Sequence, residues 1–288
     1  MEKYVVKKIK EKKNIVVEVP GSKSITNRAL LLAAMGTKKC KLKGVLFSED
    51  SRAFLSCIKE LGFDVEINEQ LKEVTVQGTG GIIKNKNATI NVMSAGTAAR
   101  FLTVFLAVAG GDYRLDSSEQ MKRRPMEELI EALRSLGVKI DCLERGGHFP
   151  FELHSVGLNS KEVSIDTTKS SQYASALMMA AAVSDGMKIS MTGDRTNGSY
   201  IKITTKMMEQ FGINYKREGD VCTVMPGKFG ISEYRIEPDA SAACYFYAMA
   251  PVLKIKTKVK NLYFDSMQGD MKFVRVMEKL GRFQANNS

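Results

Sequence analysis

The chain has 288 residues, of which 44% are hydrophobic and 26% charged, and 43 basic against 32 acidic residues give a net charge of +11. This composition is typical of a folded globular protein and excludes a disordered or fibrous one, and the length is sufficient for two domains with sizeable cores. The apolar runs cover only about 10–14 residues, fewer than the roughly 18 that a membrane-spanning helix needs. The first fourteen residues lack the apolar core of a secretory signal, so we expect a cytoplasmic protein with no membrane partner.

Charge, cysteines and histidines restrict the kinds of partner. The positive net charge favours anionic ligands such as phosphates. Nucleic acid is a weak alternative, and we expect no such partner, because the basic clusters lack the interleaved aromatic residues that stack on bases. The five cysteines form no CxxC pair, and the two histidines, His148 and His154, lie near a turn. We therefore predict reduced thiols, no metal site and no cofactor.

Four segments place small hydroxyl residues or glycine in front of an apolar helical run, at residues 21–36, 94–111, 169–186 and 239–251. The first three close on glycines at intervals of 75 residues, and a second, amphipathic helix after each run closes on glycines with the same interval. These two series are Gly36, Gly111 and Gly186, and then Gly62, Gly137 and Gly212. Two independent landmarks with one period indicate an internal repeat.

Each repeat is predicted to contain a strand, a helix, a strand, a second helix and two more strands. The second helix carries apolar residues three apart on one face, its closing glycine allows a left-handed C-cap, and alternating, strand-like sequence follows it. These apolar pairs are Ile58 and Leu61, Leu133 and Leu136, and Met208 and Phe211. Three complete copies span roughly residues 23–237.

A fourth copy begins at Asp239 and reaches its second helix, predicted over residues 270–281, without the strands that should follow. The apolar face of that helix, formed by Phe273, Met277 and Leu280, requires a packing partner. The final residues, RFQANNS, are polar and provide none. We expect a C-terminally truncated chain, with a loose segment or coverage by another polypeptide as alternatives.

Basic residues stand at predicted helix N-termini, where the helix dipole disfavours them. Lys23 and Arg28 bracket the start of the first helix, whose predicted N-cap is Ser24. Arg100 falls in the first turn of the corresponding helix in the second repeat. Cations gathered where the dipole repels them indicate a bound anion.

A third group of basic residues at a predicted helix N-terminus lies in the segment MKRRP. Arg123 and Arg124 stand directly before Pro125, the expected first residue of the helix PMEELIEAL. One arginine at such a place could instead pair with a carboxylate, here Glu127 or Glu128. Three equivalent positions, with the hydroxyls and amide of KSSQY in the third repeat, favour a polyanion site formed by successive helix N-termini. The chain has no Walker A loop or GxGxxG motif, which argues against a nucleotide ligand.

These motifs resemble those of one enzyme family. PGSKSITNRALLLAA, followed in order by SAGTAAR, MKRRP, SSQY, GSYIKIT, EPDASAACYF and SMQGD, resembles the 5-enolpyruvylshikimate-3-phosphate (EPSP) synthases over nearly the whole chain. The resemblance implies an α/β fold of α+β repeats, the inside-out α/β barrel, with six repeats in two domains. It also implies transfer of the enolpyruvyl group of phosphoenolpyruvate to the 5-hydroxyl of shikimate 3-phosphate, with release of phosphate. The related UDP-N-acetylglucosamine enolpyruvyl transferases carry a reactive loop cysteine and open their first helix differently.

The resemblance also implies which residues bind the two small-molecule substrates. The shikimate 3-phosphate pocket would contain Lys23, Ser24, Arg28, Ser170, Ser171, Gln172, Asn197 and Tyr200. Phosphoenolpyruvate would be held by Lys23, Gly96, Arg124 and Gln172. The reaction needs a base and an acid, which the family carries in the part that would follow residue 288, so no catalytic residue is assigned.

Two departures from the family pattern are visible. Met93 and Ser94 stand where the family has Gly-Asn, at the lip of the phosphoenolpyruvate site. Asn197, Gly198 and Ser199 stand where the family has Ser-Lys-Pro before the tyrosine. The second departure affects a predicted contact to a substrate hydroxyl.

Family geometry divides the chain into a complete three-repeat, substrate-binding domain at residues 20–239 and an incomplete, discontinuous domain at residues 1–19 and 240–288. We expect a monomer that is inactive alone. The alternatives are a non-catalytic module that binds a phosphosugar-like ligand and one half of a split enzyme with a complementing C-terminal chain.

Overall fold

A computed structural model describes Val5 and residues 13–280. The secretory-signal prediction, which concerns the first fourteen residues, and the predicted polar tail at 282–288 fall largely or wholly outside the described residues. The chain divides into two compact units. The larger unit is Gly21–Ile236, and the smaller unit combines Met1–Pro20 with Glu237–Ser288.

Helices and strands alternate along the described chain. The helices are α1 (Lys23–Met35), α2 (Glu49–Glu60), α3 (Gly96–Ala109), α4 (Glu119–Lys122), α5 (Glu127–Ser135), α6 (Ser171–Ala180), α7 (Ser199–Phe211), α8 (Ala240–Leu253) and α9 (Lys272–Lys279), with 3-10 helices at Ala181–Val183 and Gly269–Met271. The strands are β1 (Ile15–Val17), β2 (Lys39–Lys43), β3 (Val65–Asn68), β4 (Glu73–Gln77), β5 (Asn87–Asn91), β6 (Gly111–Asp116), β7 (Lys139–Cys142), β8 (Phe151–Ser155), β9 (Glu162–Asp166), β10 (Met187–Thr192), β11 (Tyr215–Glu218), β12 (Val221–Val224), β13 (Glu233–Arg235) and β14 (Thr257–Val259). None of the helices in this part of the chain is long and apolar enough to cross a membrane.

Three four-stranded sheets in the larger unit share one plan. In the second and third repeats a leading strand pairs in parallel with the strand after the first helix, and an antiparallel hairpin completes the sheet, in the orders β5-β6-β8-β7 and β9-β10-β12-β11. The predicted order of elements is confirmed in these copies, with α4 as an addition. The first sheet has the order β13-β2-β4-β3, with Glu233 opposite Lys41. The last strand of the larger unit therefore completes its first sheet.

The glycines that end the second helices adopt the left-handed conformation that the repeat predicts. Gly62, Gly137 and Gly212 have φ angles of 85°, 90° and 86°. At such angles a residue with a Cβ atom is strained, so glycine is favoured at the end of the helix. The apolar pairs predicted on these helices are all buried.

The core of the larger unit lies among the first helices. α1, α3 and α6 are buried over almost their whole lengths, and α3 packs against both α1 and α6. Their sequences are apolar on most sides, which suits a helix surrounded by protein. The amphipathic second helices pack beside them, and α7 contacts α1 and α6. This packing brings the N-terminal turns of helices from different repeats into one region.

Two predicted helix starts are wrong by a few residues. The N-cap of α1 is Ser22 rather than Ser24, because the carbonyl of Ser22 already accepts the first helical bond from Thr26 at 2.9 Å. α5 begins at Glu127 with Met126 as its N-cap, so Pro125 is not its first residue. The N–H of Met126 donates to Gly147 O at 2.8 Å, which holds this segment outside the helix.

The described part of the smaller unit contains the partial fourth repeat. β1 pairs in parallel with β14, and α8 and α9 accompany them. Of the helix α8 only Ala240 and Ala243 are buried. On the predicted apolar face of α9, Phe273 and Met277 are partly buried and Leu280 is 63% exposed. The buried cluster of this unit consists of Val19, Ala240, Ala243, Val259, Leu262, Met271 and Val274.

Candidate functional site

Arg28 of α1 is a buried cation, 1% exposed, surrounded by hydroxyls and backbone carbonyls. Its Nε donates to Thr204 Oγ1 at 2.8 Å and its Nη1 to Ser24 O at 3.0 Å. Its Nη2 donates to Ser175 Oγ and Tyr200 O, both at 3.4 Å. Burial lowers the pKa of Arg28 to about 10. A guanidinium held in this way, without a carboxylate, suits an incoming anion.

Two aromatic rings enclose this guanidinium. Its Cζ lies 5.3 Å from the ring centroid of Phe101 and 6.0 Å from that of Tyr200, distances at which cation–π attraction operates. Tyr200 is 50% exposed, whereas Phe101 is fully buried. The structure therefore brings the predicted residues Ser24, Arg28 and Tyr200 together.

Thr204 and Ser175 were missed by the sequence reasoning. Thr204 Oγ1 lies 2.8 Å from both Ser175 Oγ and Tyr200 O, and so joins α7 to α6 beside Arg28. Thr204 follows Tyr200 by four residues, and therefore lies on the same helix face. Ser175 is a polar residue inside an apolar helix. These two signals could have indicated both residues.

Two further cations, Arg100 and Arg124, meet at the N-terminus of α3. A Cβ atom at Gly96 would lie 2.7 Å from Nη1 of Arg124 and 2.8 Å from Nη1 of Arg100, so only glycine leaves room for both guanidiniums. Arg100 Nη1 donates to Gly96 O at 2.9 Å, while its buried Nε has no hydrogen-bond partner. Burial, with a smaller contribution from the Arg124 charge, lowers the pKa of Arg100. Ala95, the N-cap of α3, provides no side-chain cap for the first turn.

The alternative pairing of Arg124 with Glu127 or Glu128 does not occur among the described residues, where Glu128 Oε1 lies 2.5 Å from Lys169 Nζ. Within the described chain, no carboxylate forms an ion pair with Arg28, Arg100 or Arg124. Lys23 differs, since its Nζ lies 2.8 Å from Asp50 Oδ2. Among the predicted helix-terminal cations, Arg28, Arg100 and Arg124 thus remain available to an anion.

The N-terminus of α6 contributes polar groups. Ser170 is its N-cap, and its Oγ accepts from Gln172 N at 3.2 Å. Ser171 is buried, and Gln172 Oε1 is a buried acceptor with no partner. Asn197 Oδ1 accepts from Arg217 Nη2 at 2.9 Å on the surface.

One hydrogen bond joins the two cationic groups. Asn27 Nδ2 donates to Thr97 Oγ1 at 2.5 Å. Asn27 directly precedes Arg28 in the chain, and Thr97 directly follows Gly96. The described contacts do not extend this network to Lys23 or Asn197. Across the described residues no group of His, Cys, Asp and Glu has the arrangement of a metal site. The arrangement as a whole suits phosphate and carboxylate groups on a hydroxylated ligand.

Comparison with known proteins decides the family. The family model described as EPSP synthase (3-phosphoshikimate 1-carboxyvinyltransferase) matches residues 6–287. The chain belongs to the EPSP synthase family. The family predicted from the motifs is thereby confirmed.

Relatives of the family align with most of this chain. The 3-phosphoshikimate 1-carboxyvinyltransferase of Opitutus terrae is 40% identical over 272 residues, and that of Trichormus variabilis is 38% identical over 268 residues. Each alignment covers 92% of this chain and 63% of the relative. The chain therefore spans less than two thirds of the length of these EPSP synthase relatives.

A solved structure shows the same fold. The EPSP synthase of Acinetobacter baumannii superimposes with a TM-score of 0.78 and 21% identity, over 94% of this chain and 60% of that one. The predicted mixed α/β fold is confirmed over this part of the EPSP synthase architecture.

Proposed function

We propose that this chain provides the shikimate 3-phosphate pocket and part of the phosphoenolpyruvate site of an enolpyruvyl transferase. The reaction transfers the enolpyruvyl group of phosphoenolpyruvate to the 5-hydroxyl of shikimate 3-phosphate and releases phosphate. The observation that carries the proposal is the set of three arginines, Arg28, Arg100 and Arg124, which gather at helix N-termini without a carboxylate partner in the described chain. Such a set stabilises anionic groups of a ligand.

Arg28 is the proposed anchor for shikimate 3-phosphate. A guanidinium has five N–H donors, and four of those of Arg28 have protein partners, which leaves one on Nη1 for the ligand. The unpartnered Oε1 of Gln172 is a suitable acceptor for a hydroxyl of the shikimate ring. The hydroxyls of Ser24, Ser170, Ser171 and Tyr200, with Lys23 and Asn197, complete the proposed pocket.

Phosphoenolpyruvate is proposed to lie at the N-terminus of α3. Gly96 leaves this terminus open, and Arg124 provides a guanidinium that can bind a carboxylate or phosphate with two parallel hydrogen bonds. Lys23 and Gln172 would reach the same ligand from α1 and α6. The ion pair between Lys23 and Asp50 would have to open or rearrange when the substrates bind.

The chemical step requires a base for the attacking hydroxyl and an acid for the vinyl carbon. No described residue is assigned to either role, so we propose that this chain binds substrates but does not turn them over alone. We further propose the inside-out α/β barrel of six repeats, with residues 20–239 as one complete domain and residues 1–19 and 240–288 as part of the second. A cytoplasmic monomer remains our prediction.

Two measurements on the purified chain test the proposal. Calorimetric titration should detect shikimate 3-phosphate binding, and phosphate release from phosphoenolpyruvate should be absent with or without shikimate 3-phosphate. Absence of binding to folded protein would remove the proposed pocket. Phosphate release that depends on both substrates would show that the acid and base lie within the chain.

One observation favours a split enzyme as a second candidate. The helix α8 is as apolar as α1, α3 and α6, yet its Tyr245 and Val252 are largely exposed among the described residues. Mixing the chain with the C-terminal part of the Opitutus terrae relative tests this candidate. Phosphate release from the mixture, but not from the chain by itself, would support the split enzyme. No release from either sample would leave the binding module.

A further inference from the structure

Arg124 lies in the loop between α4 and α5, outside both helices. Residues 123–126 connect α4 to α5 and have no regular secondary structure. Two backbone bonds fix its ends: Arg124 N donates to Met121 O at 2.9 Å, and Met126 N donates to Gly147 O at 2.8 Å. The carbonyl between them, Pro125 O, takes its partners from side chains of other helices.

Tyr173 of α6 provides the shorter of these side-chain bonds. Its hydroxyl donates to Pro125 O at 2.8 Å, and Arg100 Nη2 donates to the same oxygen at 3.4 Å. The Arg100 Cζ lies 5.8 Å from the Tyr173 ring centroid. Since Arg100 also binds Gly96 O, a chain of contacts runs from α6 through the Pro125 carbonyl to the N-terminus of α3.

We infer that the Tyr173 hydroxyl is a positioning group that holds Arg124 against Gly96 for phosphoenolpyruvate. This inference rests on the proposed function of the site. The Tyr173 hydroxyl donates to Pro125 O, so it acts on Arg124 through that carbonyl and is assigned no contact with the ligand. The inference adds to the phosphoenolpyruvate site a residue of α6 that provides no charge and acts through a backbone carbonyl.

The need for such a group follows from the neighbouring charges. The guanidiniums of Arg100 and Arg124 lie close together, since both have an Nη1 within 3 Å of a Cβ placed at Gly96, and neither has a carboxylate partner in the described chain. Repulsion between them favours movement of the Arg124 segment away from α3. Without the hydroxyl, Pro125 O would keep only the long bond from Arg100, and the segment would be held between its two backbone bonds less firmly.

Tyr173→Phe removes the hydroxyl and keeps the buried ring. Tyr113→Phe is the matched control, because Tyr113 is 2% exposed and its hydroxyl likewise donates to a single backbone carbonyl, Gly110 O at 3.0 Å, away from the site. Comparison of the two separates positioning of Arg124 from general loss of a buried hydrogen bond. Thermal unfolding of both variants confirms that they are folded.

The full chain is titrated by calorimetry with shikimate 3-phosphate, and then with phosphoenolpyruvate at saturating shikimate 3-phosphate. In Tyr173→Phe we expect phosphoenolpyruvate to bind about five- to tenfold more weakly, the effect of one lost hydrogen bond. Shikimate 3-phosphate affinity should stay at the wild-type value, and Tyr113→Phe should change neither. Equal weakening of both ligands, or unchanged phosphoenolpyruvate affinity, would overturn the inference.

Hydrogen exchange tests the positioning without a ligand. The amides of Arg124 and Met126 should exchange at least about fivefold faster in Tyr173→Phe than in wild type or Tyr113→Phe. Unchanged exchange would overturn the inference even if ligand affinity fell. If the wild-type chain bound neither ligand, the proposed function would fail while the exchange rates would still decide whether Tyr173 holds this segment.

Discussion

The Arg28 guanidinium is buried at a free-energy cost that folding alone does not explain. Burial lowers its pKa to about 10, so desolvation disfavours the charged form in the folded state. A hydrophobic residue of similar length would avoid this desolvation. This cost supports the proposal that the charge serves binding, where an anion would interact with it in a medium of low polarity.

We expect Arg28→Met to lower shikimate 3-phosphate affinity by roughly 1.5–3 kcal/mol, the range for a charge-assisted hydrogen bond. The free energy of unfolding should stay within about 1 kcal/mol of wild type or rise. Calorimetry and urea denaturation measure the two quantities. Arg52→Met is the control, since Arg52 is an exposed arginine paired with Glu69 and lies over the Phe47 ring. Unchanged affinity in Arg28→Met would contradict its assigned role.

Gly96 provides a second test at single-residue scale. In Gly96→Ala the new Cβ would meet the guanidiniums of Arg124 and Arg100 at 2.7 and 2.8 Å, so at least one of them must move. We expect phosphoenolpyruvate affinity to fall about tenfold because Arg124 loses its position, with shikimate 3-phosphate affinity retained. Titrations with both ligands measure this, and Gly227→Ala is the control because no atom lies within 4 Å of its added Cβ. A loss for shikimate 3-phosphate alone would refute the assignment.

At the scale of elements, the closing glycines of the second helices differ in their surroundings. A Cβ at Gly212 would meet nothing within 4 Å, whereas one at Gly137 would lie 2.6 Å from Cγ of Asn159. Both glycines have left-handed φ angles, so each substitution by alanine should cost about 1 kcal/mol in backbone strain. Asn159 cannot easily retreat, because its N–H donates to Leu136 O at 2.8 Å.

Gly137→Ala should therefore destabilise the chain by at least about 1 kcal/mol more than Gly212→Ala. Urea denaturation of the two variants beside wild type measures the difference. Equal losses of unfolding free energy in the two variants would show that Asn159 moves aside freely and that backbone strain alone accounts for the destabilisation.

The elements that the sequence predicted well are those set by local patterns. The order of elements in a repeat and the left-handed glycines follow from apolar spacing and helix ends, both visible within a dozen residues. The pairing of β13 with β2 could not be predicted in this way, since it joins Glu233 to Lys41 across most of the larger unit. The start of α5 was misplaced because the bond from Met126 to Gly147 competes with the usual preference for proline at a helix start.

The candidate site likewise contains residues that local sequence patterns predict and residues that depend on long-range packing. Arg28 and Arg124 were found because cations at helix N-termini oppose the dipole, which is a local signal. Hydrogen bonds to other repeats involve the side chains of Thr204, Ser175 and Tyr173. The partners that these side chains reach therefore depend on how α6 and α7 pack. Hydroxyl residues in apolar helices have many possible partners, and a sequence alone does not select among them.

At the scale of the whole molecule, the two units are expected to differ in stability. The larger unit buries the first helices of three repeats, while the described part of the smaller unit has a partial repeat and a small buried cluster. Since stability follows the amount of apolar surface buried, the smaller unit should open at a lower free energy. Its lysines at 254, 256, 258, 260 and 272 offer trypsin sites in that part of the chain.

Limited trypsin digestion of the intact chain should therefore cut first between residues 254 and 280 and leave a resistant fragment that contains Gly21–Ile236. Shikimate 3-phosphate at about 100 times its dissociation constant should stabilise the larger unit by about 2.7 kcal/mol, because it binds only the folded state. The ligand should then slow later cleavage of the resistant fragment and leave the first cuts unchanged, since these lie outside the proposed pocket. Mass spectrometry of timed samples identifies the fragments. First cleavage within the larger unit, or protection of the first sites by the ligand, would contradict this order of stability.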